Sequence, residues 1–271
     1  MAKVKFWAVC ALALLAPVMT WAATGPVLIV HDGTAGLEAN VVTNLSGKLT
    51  TAGYTVSTNV GLPGGSLAAN KQIWDVRFNT TTPLTGGDIS AYVTYLAGGG
   101  SLFVMGENTG FIIRDNSIAA LVLAAGGGNI SFTTPANLEN VQSPFTGPTS
   151  LSTITFLAAA GVPNPGNGVC VTKDAGNLCA SVVWGPGNMT AATAGSLIAV
   201  FDVNFLDPGA DANSQTFTNN LIAYLAAPIV VAPPPSAIVA VPTLSDFGMI
   251  LLAGLLIFVA YRKLPRHAAQ V

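Results

Sequence analysis

Apolar residues fall into two rhythms along this chain, and the alternation between them predicts most of its elements. Pro26 to Gly33, PVLIVHDG, is a continuous apolar run ending in polar residues, the pattern of a strand buried on both faces. Gly36 to Gly53 follows at helical spacing, with Leu37, Val41, Val42, Leu45 and Leu49 on one side and Gly53 as the stop. Tyr54 to Val60 alternates as a strand, and Ile73 to Phe78 supplies another after a Gly- and Pro-rich loop. Leu84 to Ala97 is an expected helix with Asp88 near its start, Ser101 to Met105 an apolar strand, and Asn116 to Ala125 a further helix before an expected strand at Asn129 to Thr133. A polar turn, Gly106 to Gly110, closes the Ser101 strand.

Punctuation by Pro, Gly and Thr then dominates positions 135–190, where only short β-like runs occur, at 152–157, 169–172 and 180–184. The earlier rhythm resumes with Ser196 to Leu206, a buried strand, and Phe217 to Leu225, a closing helix. Strands alternating with helices predict an α/β fold: a three-layer sandwich around a mostly parallel, flavodoxin-like sheet, with 135–190 as a small antiparallel β extension.

The two ends carry different signals. Residues 1–22 have a basic start at Lys3 and Lys5, an apolar run and small residues Thr20 and Ala22, the layout of a secretory signal peptide that leaves Ala23 as the mature start. The domain is then expected over 23–227, and 228–240 is a Pro-rich linker. At the far end an apolar stretch, 247–261, is followed by Arg262, Lys263 and Arg266. It predicts a single C-terminal transmembrane helix, short of the ~20 residues usually needed, with the preceding chain outside the inner membrane.

Composition narrows the partners. Charged residues make up 8% of the chain and hydrophobic ones 51%, so Thr, Ser, Asn and Gly must cover much of the surface. Between Ala23 and Ala240 five basic residues face eleven acids, and nothing neutralises a phosphate backbone; nucleic acid is not an expected partner. Removal of the signal leaves two cysteines, Cys170 and Cys179, flanking a turn-forming Lys-Asp-Ala-Gly-Asn stretch, and a disulfide stapling a hairpin is the natural pairing in an oxidising compartment. The spacing fits no usual zinc site, and no cofactor is called for.

Candidate chemistry lies where an open α/β sheet binds ligands, at the carboxyl ends of its parallel strands. His31, Asp32 and Glu107 are the weak catalytic candidates there, accompanied by Asn108 and by Asp202 or Asp207. Helix capping and pairing of Arg114 with Glu107 or Asp115 compete with catalysis as the role of these acids. No G-x-S-x-G elbow presents a serine nucleophile. Asp207, Asp211 and Asn213 form a polar loop without the closing carboxylate of an EF-hand, which favours a solvated loop and helix cap over calcium.

Two resemblances extend this reading. The stretch VPTLSDFG (Val241, Pro242, Thr243, Leu244, Ser245, Asp246, Phe247 and Gly248), within a segment 241–266, resembles the IPTL-CTERM sorting signals, relatives of the PEP-CTERM signals. The resemblance implies an exosortase-type peptidase or transpeptidase as partner, and delivery to the cell surface or an extracellular matrix. VLIVHDG, YLAGGGSLFVMGEN, LIAVFDVNFLD and FTNNLIAYL, in that order, resemble the class I glutamine-amidotransferase-like superfamily with its ThuA-like branches. Amidotransferase members place a Cys on the turn after the middle strand; here that turn carries Glu107, and no His follows it before the linker. The expectation is therefore an exported surface or matrix protein with a binding or structural role, a surface glycan being one candidate ligand. The alternative is an exported hydrolase of a carbohydrate or small ester, working through carboxylates at the strand ends.

Overall fold

The computed structural model describes residues 25–226 apart from 34 and 136; the expected signal peptide, linker, sorting motif and apolar span 247–261 lie outside the described residues. In chain order the elements are β1 (Pro26–His31), α1 (Gly36–Thr51), β2 (Thr55–Val60), β3 (Gln72–Asp75), α2 (Gly86–Ala97), β4 (Ser101–Met105) and α3 (Ile112–Ala125). They continue with β5 (Leu138–Val141), β6 (Thr153–Thr155), β7 (Val169–Lys173), β8 (Ser181–Trp184), β9 (Ser196–Val200) and α4 (Ala212–Ala226). Short 3-10 turns at Thr109–Phe111 and Val203–Leu206 follow β4 and β9.

All nine strands belong to one sheet, in the order β2-β1-β3-β4-β9-β8-β7-β5-β6. From β2 to β9 every ladder is parallel; from β9 through β8, β7 and β5 to β6 every ladder is antiparallel. This corrects the expected fold class. The sheet is mixed rather than mostly parallel, and 135–190 is no small extension, because its strands continue the same sheet from the edge of β9. Among the described residues no helix is long and apolar enough to cross a membrane; the expected C-terminal transmembrane helix, 247–261, lies outside them.

The reason lies in β8. Its four residues, Ser-Val-Val-Trp, are all buried, which is the signature of a central strand covered on both faces. Trp184 fills the space beside Gly127, and its indole N–H donates to the carbonyls of Gly127 and Pro165, both at 3.1 Å. Glu139 and Asn140 break the apolar pattern of β5, which therefore gave no strand signal. The strand expected at 129–133 is absent: Thr133 makes a single bridge to Gly161, and Phe132 packs edge-on against Phe201 at 5.0 Å.

Two apolar clusters cover the sheet. One joins Val41, Leu45 and Leu49 of α1 to Phe217 and Leu221 of α4, over Ile29, Trp74, Phe103 and Ile198. The other joins Tyr92 and Leu96 of α2 to Ile118 and Val122 of α3, over Leu28, Ile73, Leu102 and Leu197. No helix links β2 to β3, and the loop between them covers this second face with Leu67, which is buried. Thr85 and Asp88 form a capping box that starts α2, and Gly126, at φ +82°, ends α3 in the left-handed conformation.

Cys170 and Cys179 form a disulfide with Cα atoms 5.4 Å apart, clamping the β7–β8 hairpin. Closing a loop with a sequence separation of nine residues is worth about 2.5 kcal/mol in the unfolded chain. Cys170→Ser is accordingly expected to lower stability by about that amount, and thermal melts with and without a reductant should show the wild type falling to the variant's midpoint.

Candidate functional site

Four parallel strands end in acids or lead directly into them, and the structure separates those acids into three groups. The first is built on Asp75, the last residue of β3 and fully buried. Its Oδ1 accepts from the Arg77 backbone N–H at 3.2 Å, Arg77 Nε at 2.9 Å and Arg114 Nη2 at 3.1 Å. Its Oδ2 accepts from Arg77 Nη2 at 2.6 Å and the Tyr92 hydroxyl at 2.8 Å. Arg114 spends its remaining reach on backbone, donating from Nε to the Met105 carbonyl at 3.0 Å and from Nη1 to that of Thr82 at 3.2 Å.

One guanidinium thus ties α3 to β3, to the end of β4 and to the 79–84 loop. Burial alone would raise the Asp75 pKa, but Arg114 and Arg77 outweigh it and hold the carboxyl below its ordinary value. The stability this gives is present above the unfolded pKa and is lost as pH falls through the lowered folded value. Pairing of Arg114 with Glu107 or Asp115 was one of the roles open to these acids in the sequence; its ion pair is with Asp75.

The second group sits at the end of β1. His31 is buried, and its Nδ1 lies 2.7 Å from the Gly33 carbonyl. Asp32 is half-buried; its backbone N–H donates to Glu38 in the first turn of α1, and its Oδ2 accepts from the Thr82 hydroxyl. Burial pushes both Asp32 and Glu38 up from the usual carboxyl values, against hydrogen bonds that lower them. Glu38 therefore serves as the clasp of the β1–α1 turn.

The third group joins β4 to β9. Glu107 Oε1 accepts from the Asn108 backbone N–H at 3.1 Å and from its Nδ2 at 2.9 Å, and Oε2 accepts from the Val203 N–H at 2.8 Å. Its own N–H donates to Asp115 Oδ1 at 3.0 Å. Asp115 Oδ2 is buried with no hydrogen-bond partner. Glycine is required at 106, since a methyl there would lie 2.3 Å from the Phe201 ring and 2.6 Å from Asp115 Oδ1. Burial pushes both Glu107 and Asp115 up to about 7. Asp202 is also raised by burial, while its two oxygens accept from the N–H groups of Asn204 at 2.7 Å and Ala158 at 3.0 Å.

The three sequence candidates are therefore not brought together. β3 lies between β1 and β4, so Asp32 and Glu107 start from strands about 10 Å apart, and no hydrogen bond joins them. Glu107 is 2% exposed and its carboxylate is taken up by three N–H donors, which leaves no face for a substrate. Asp75, Arg77 and Arg114 organise this end of the sheet and were not picked out as a group, because three buried charges far apart in sequence give no periodic signal.

Open space lies elsewhere. A cleft of about 400 Å³ sits beyond the end of β9, between the 207–211 loop, the start of α4 and the end of β6; Asn137, Thr155, Leu157, Asp207, Asp211 and Ser214 are among the residues lining it. Asp207 Oδ1 accepts from the Gly209 N–H and Asp211 Oδ1 from the Ser214 N–H, each at 2.7 Å. Asp211 is thus the cap of α4, as its position before the helix implied. No group of three potential metal ligands occurs among the described residues. The sequence could not reveal this cleft, because one wall comes from the end of β6 and from Asn137 just before β5, strands whose place at the sheet edge was unread.

No protein-family model matches the chain, and no curated protein does. Solved structures do match. The mmIFT52 N-terminal domain aligns with a TM-score of 0.55 at 11% identity, over 74% of this chain and 97% of that one. A ThuA-like protein from Parabacteroides merdae aligns at 0.49 with 9% identity, over 79% and 94%. The exo-β-1,4-mannosidase Op5Man5 from an Opitutaceae bacterium aligns at 0.49 with 14% identity, over 76% of this chain and 36% of that one. The first likeness establishes the fold alone.

Proposed function

We propose that this chain is an exported surface or matrix protein whose α/β domain binds a ligand without turning it over, and that the VPTLSDFG motif hands it to an exosortase-type peptidase. The observation that carries the binding half is the state of Glu107. It stands on the turn where the amidotransferase-like resemblance would place a nucleophile, yet its carboxylate is spent on three N–H donors that join β4 to the segment after β9. The export half rests on the sequence: a signal-peptide layout at 1–22, a motif at 241–248, and a cysteine pair that suits an oxidising compartment. The ligand fits a surface glycan better than a nucleic acid, given the excess of acids over bases between the two ends.

A hydrolase would depend on Asp32 or Glu107 for proton transfer. Asp32→Asn and Glu107→Gln variants of the full chain, assayed on nitrophenyl esters and glycosides, are expected to match the wild type at the uncatalysed background. Turnover by the wild type that falls by a hundredfold or more in either variant, the usual scale for a lost general acid or base, would establish the hydrolase reading instead.

A further inference from the structure

The cleft beside α4 has a chemistry that narrows its ligand. Among the described residues every titratable side chain that lines it is acidic, Asp207 and Asp211, with no Lys, Arg or His in the lining. Each of these acids commits Oδ1 to a backbone N–H of its own turn, leaving Oδ2 on both without a hydrogen-bond partner among the described residues. The positive end of the α4 dipole, which would otherwise favour an anion, is already answered by Asp211.

An independent observation points the same way. Ser214 is 3% exposed and lines the cleft, and its hydroxyl makes no hydrogen bond among the described residues, although its backbone N–H and carbonyl both do. The oxygen is not among the fully buried unpartnered atoms, so what little of Ser214 is exposed opens onto the cleft, where a ligand can pair with the hydroxyl. Thr155 and Asn137 add neutral polar groups on the opposite wall, and Leu157, 70% exposed, offers an apolar surface.

We propose that this cleft binds an amine-bearing sugar. The ammonium group meets the free oxygens of Asp207 and Asp211, ring hydroxyls pair with Ser214 and the neutral wall, and the C–H face of the ring lies on Leu157. The volume of about 400 Å³ falls within the range of small-molecule sites and holds one or two sugar rings. The proposal deepens the reading of the chain as an exported binding domain and rests on it.

Calorimetric titration of the full chain with a glucosamine disaccharide, and with its neutral N-acetylated counterpart, tests it. The amine form is expected to bind at least about tenfold more tightly than the neutral form, the scale of a charged hydrogen bond. The double variant Asp207→Asn, Asp211→Asn keeps both backbone caps, because an amide oxygen still accepts, and should melt like the wild type while losing at least about tenfold in affinity. Ser214→Ala should lose a few-fold. No binding of the amine form, equal binding of the neutral form, or unchanged affinity in the double variant would each overturn the proposal. Processing of the chain in the same cells reports separately on export: intact processing without binding defeats only the amino-sugar site, and binding without processing defeats only the export reading.

Discussion

Replacing Arg114 with alanine is expected to destabilise the domain by about 4 kcal/mol, a large share of the roughly 5–15 kcal/mol that holds an ordinary domain folded. Three costs add. Asp75 stays fully buried with only Arg77 and Tyr92 to answer it, and removing one partner of a buried pair typically costs about 3–5 kcal/mol. The carbonyls of Met105 and Thr82 lose their donors. A large void also opens between α3 and the sheet, since Arg114 is among the largest fully buried side chains. Arg114→Lys should recover only part of the loss, because an ammonium cannot reach three acceptors in a plane as the guanidinium does. Urea denaturation of both variants checks this; a change under about 1 kcal/mol for the alanine variant would show that the network contributes little.

The second large effect is a loss of stability with rising pH. Glu107 and Asp115 have folded pKa values raised to about 7 by burial, against unfolded values near 4. A carboxyl raised in this way is penalised only when it must ionise, so its cost grows as pH climbs from the unfolded value through the folded one. Moving a Glu from 4.5 to about 7 corresponds to about 3 kcal/mol, fully felt above pH 7.

Asp115→Asn removes one member of the pair. Its amide oxygen still accepts from the Glu107 N–H, and the position of the unpartnered Oδ2 becomes an N–H₂ that carries no charge. The variant is expected to gain on the wild type at both pH values, by about 2 kcal/mol more at pH 8 than at pH 5. Glu139, also raised to about 7 by burial and with one oxygen unpartnered, keeps the remaining slope from vanishing. Melting midpoints at the two pH values decide the matter; identical wild-type and variant slopes would contradict it.

The parallel half of this fold was readable because its residues behave simply. β4 is buried at all five positions, apolar at every one but Ser101, and bounded by glycines, and its limits coincide with the expected ones. α1 shows its buried stripe of Val41, Leu45 and Leu49 directly in its spacing. What escaped the sequence was polar burial. α3 begins at Ile112, four residues before the expected start, because Arg114 and Asp115 point inward and are fully buried, whereas a helical pattern would put them outside. β5 was unread for the same reason, with Glu139 buried beneath the hydroxyl of Thr172. The acids at the strand ends were visible by type and position, but their partners, 39 residues away for Asp75 and Arg114 and 96 for Glu107 and Val203, are set by strand order and not by any local pattern.

Mass spectrometry of the mature protein recovered from the surface of the cell that makes it decides whether both ends are processed. The expected first residue is Ala23 and the expected last residue lies at or near the 241–248 motif, with Arg262, Lys263 and Arg266 gone. A surface-displayed chain that still carries Met1, or still ends at Val271, would contradict it.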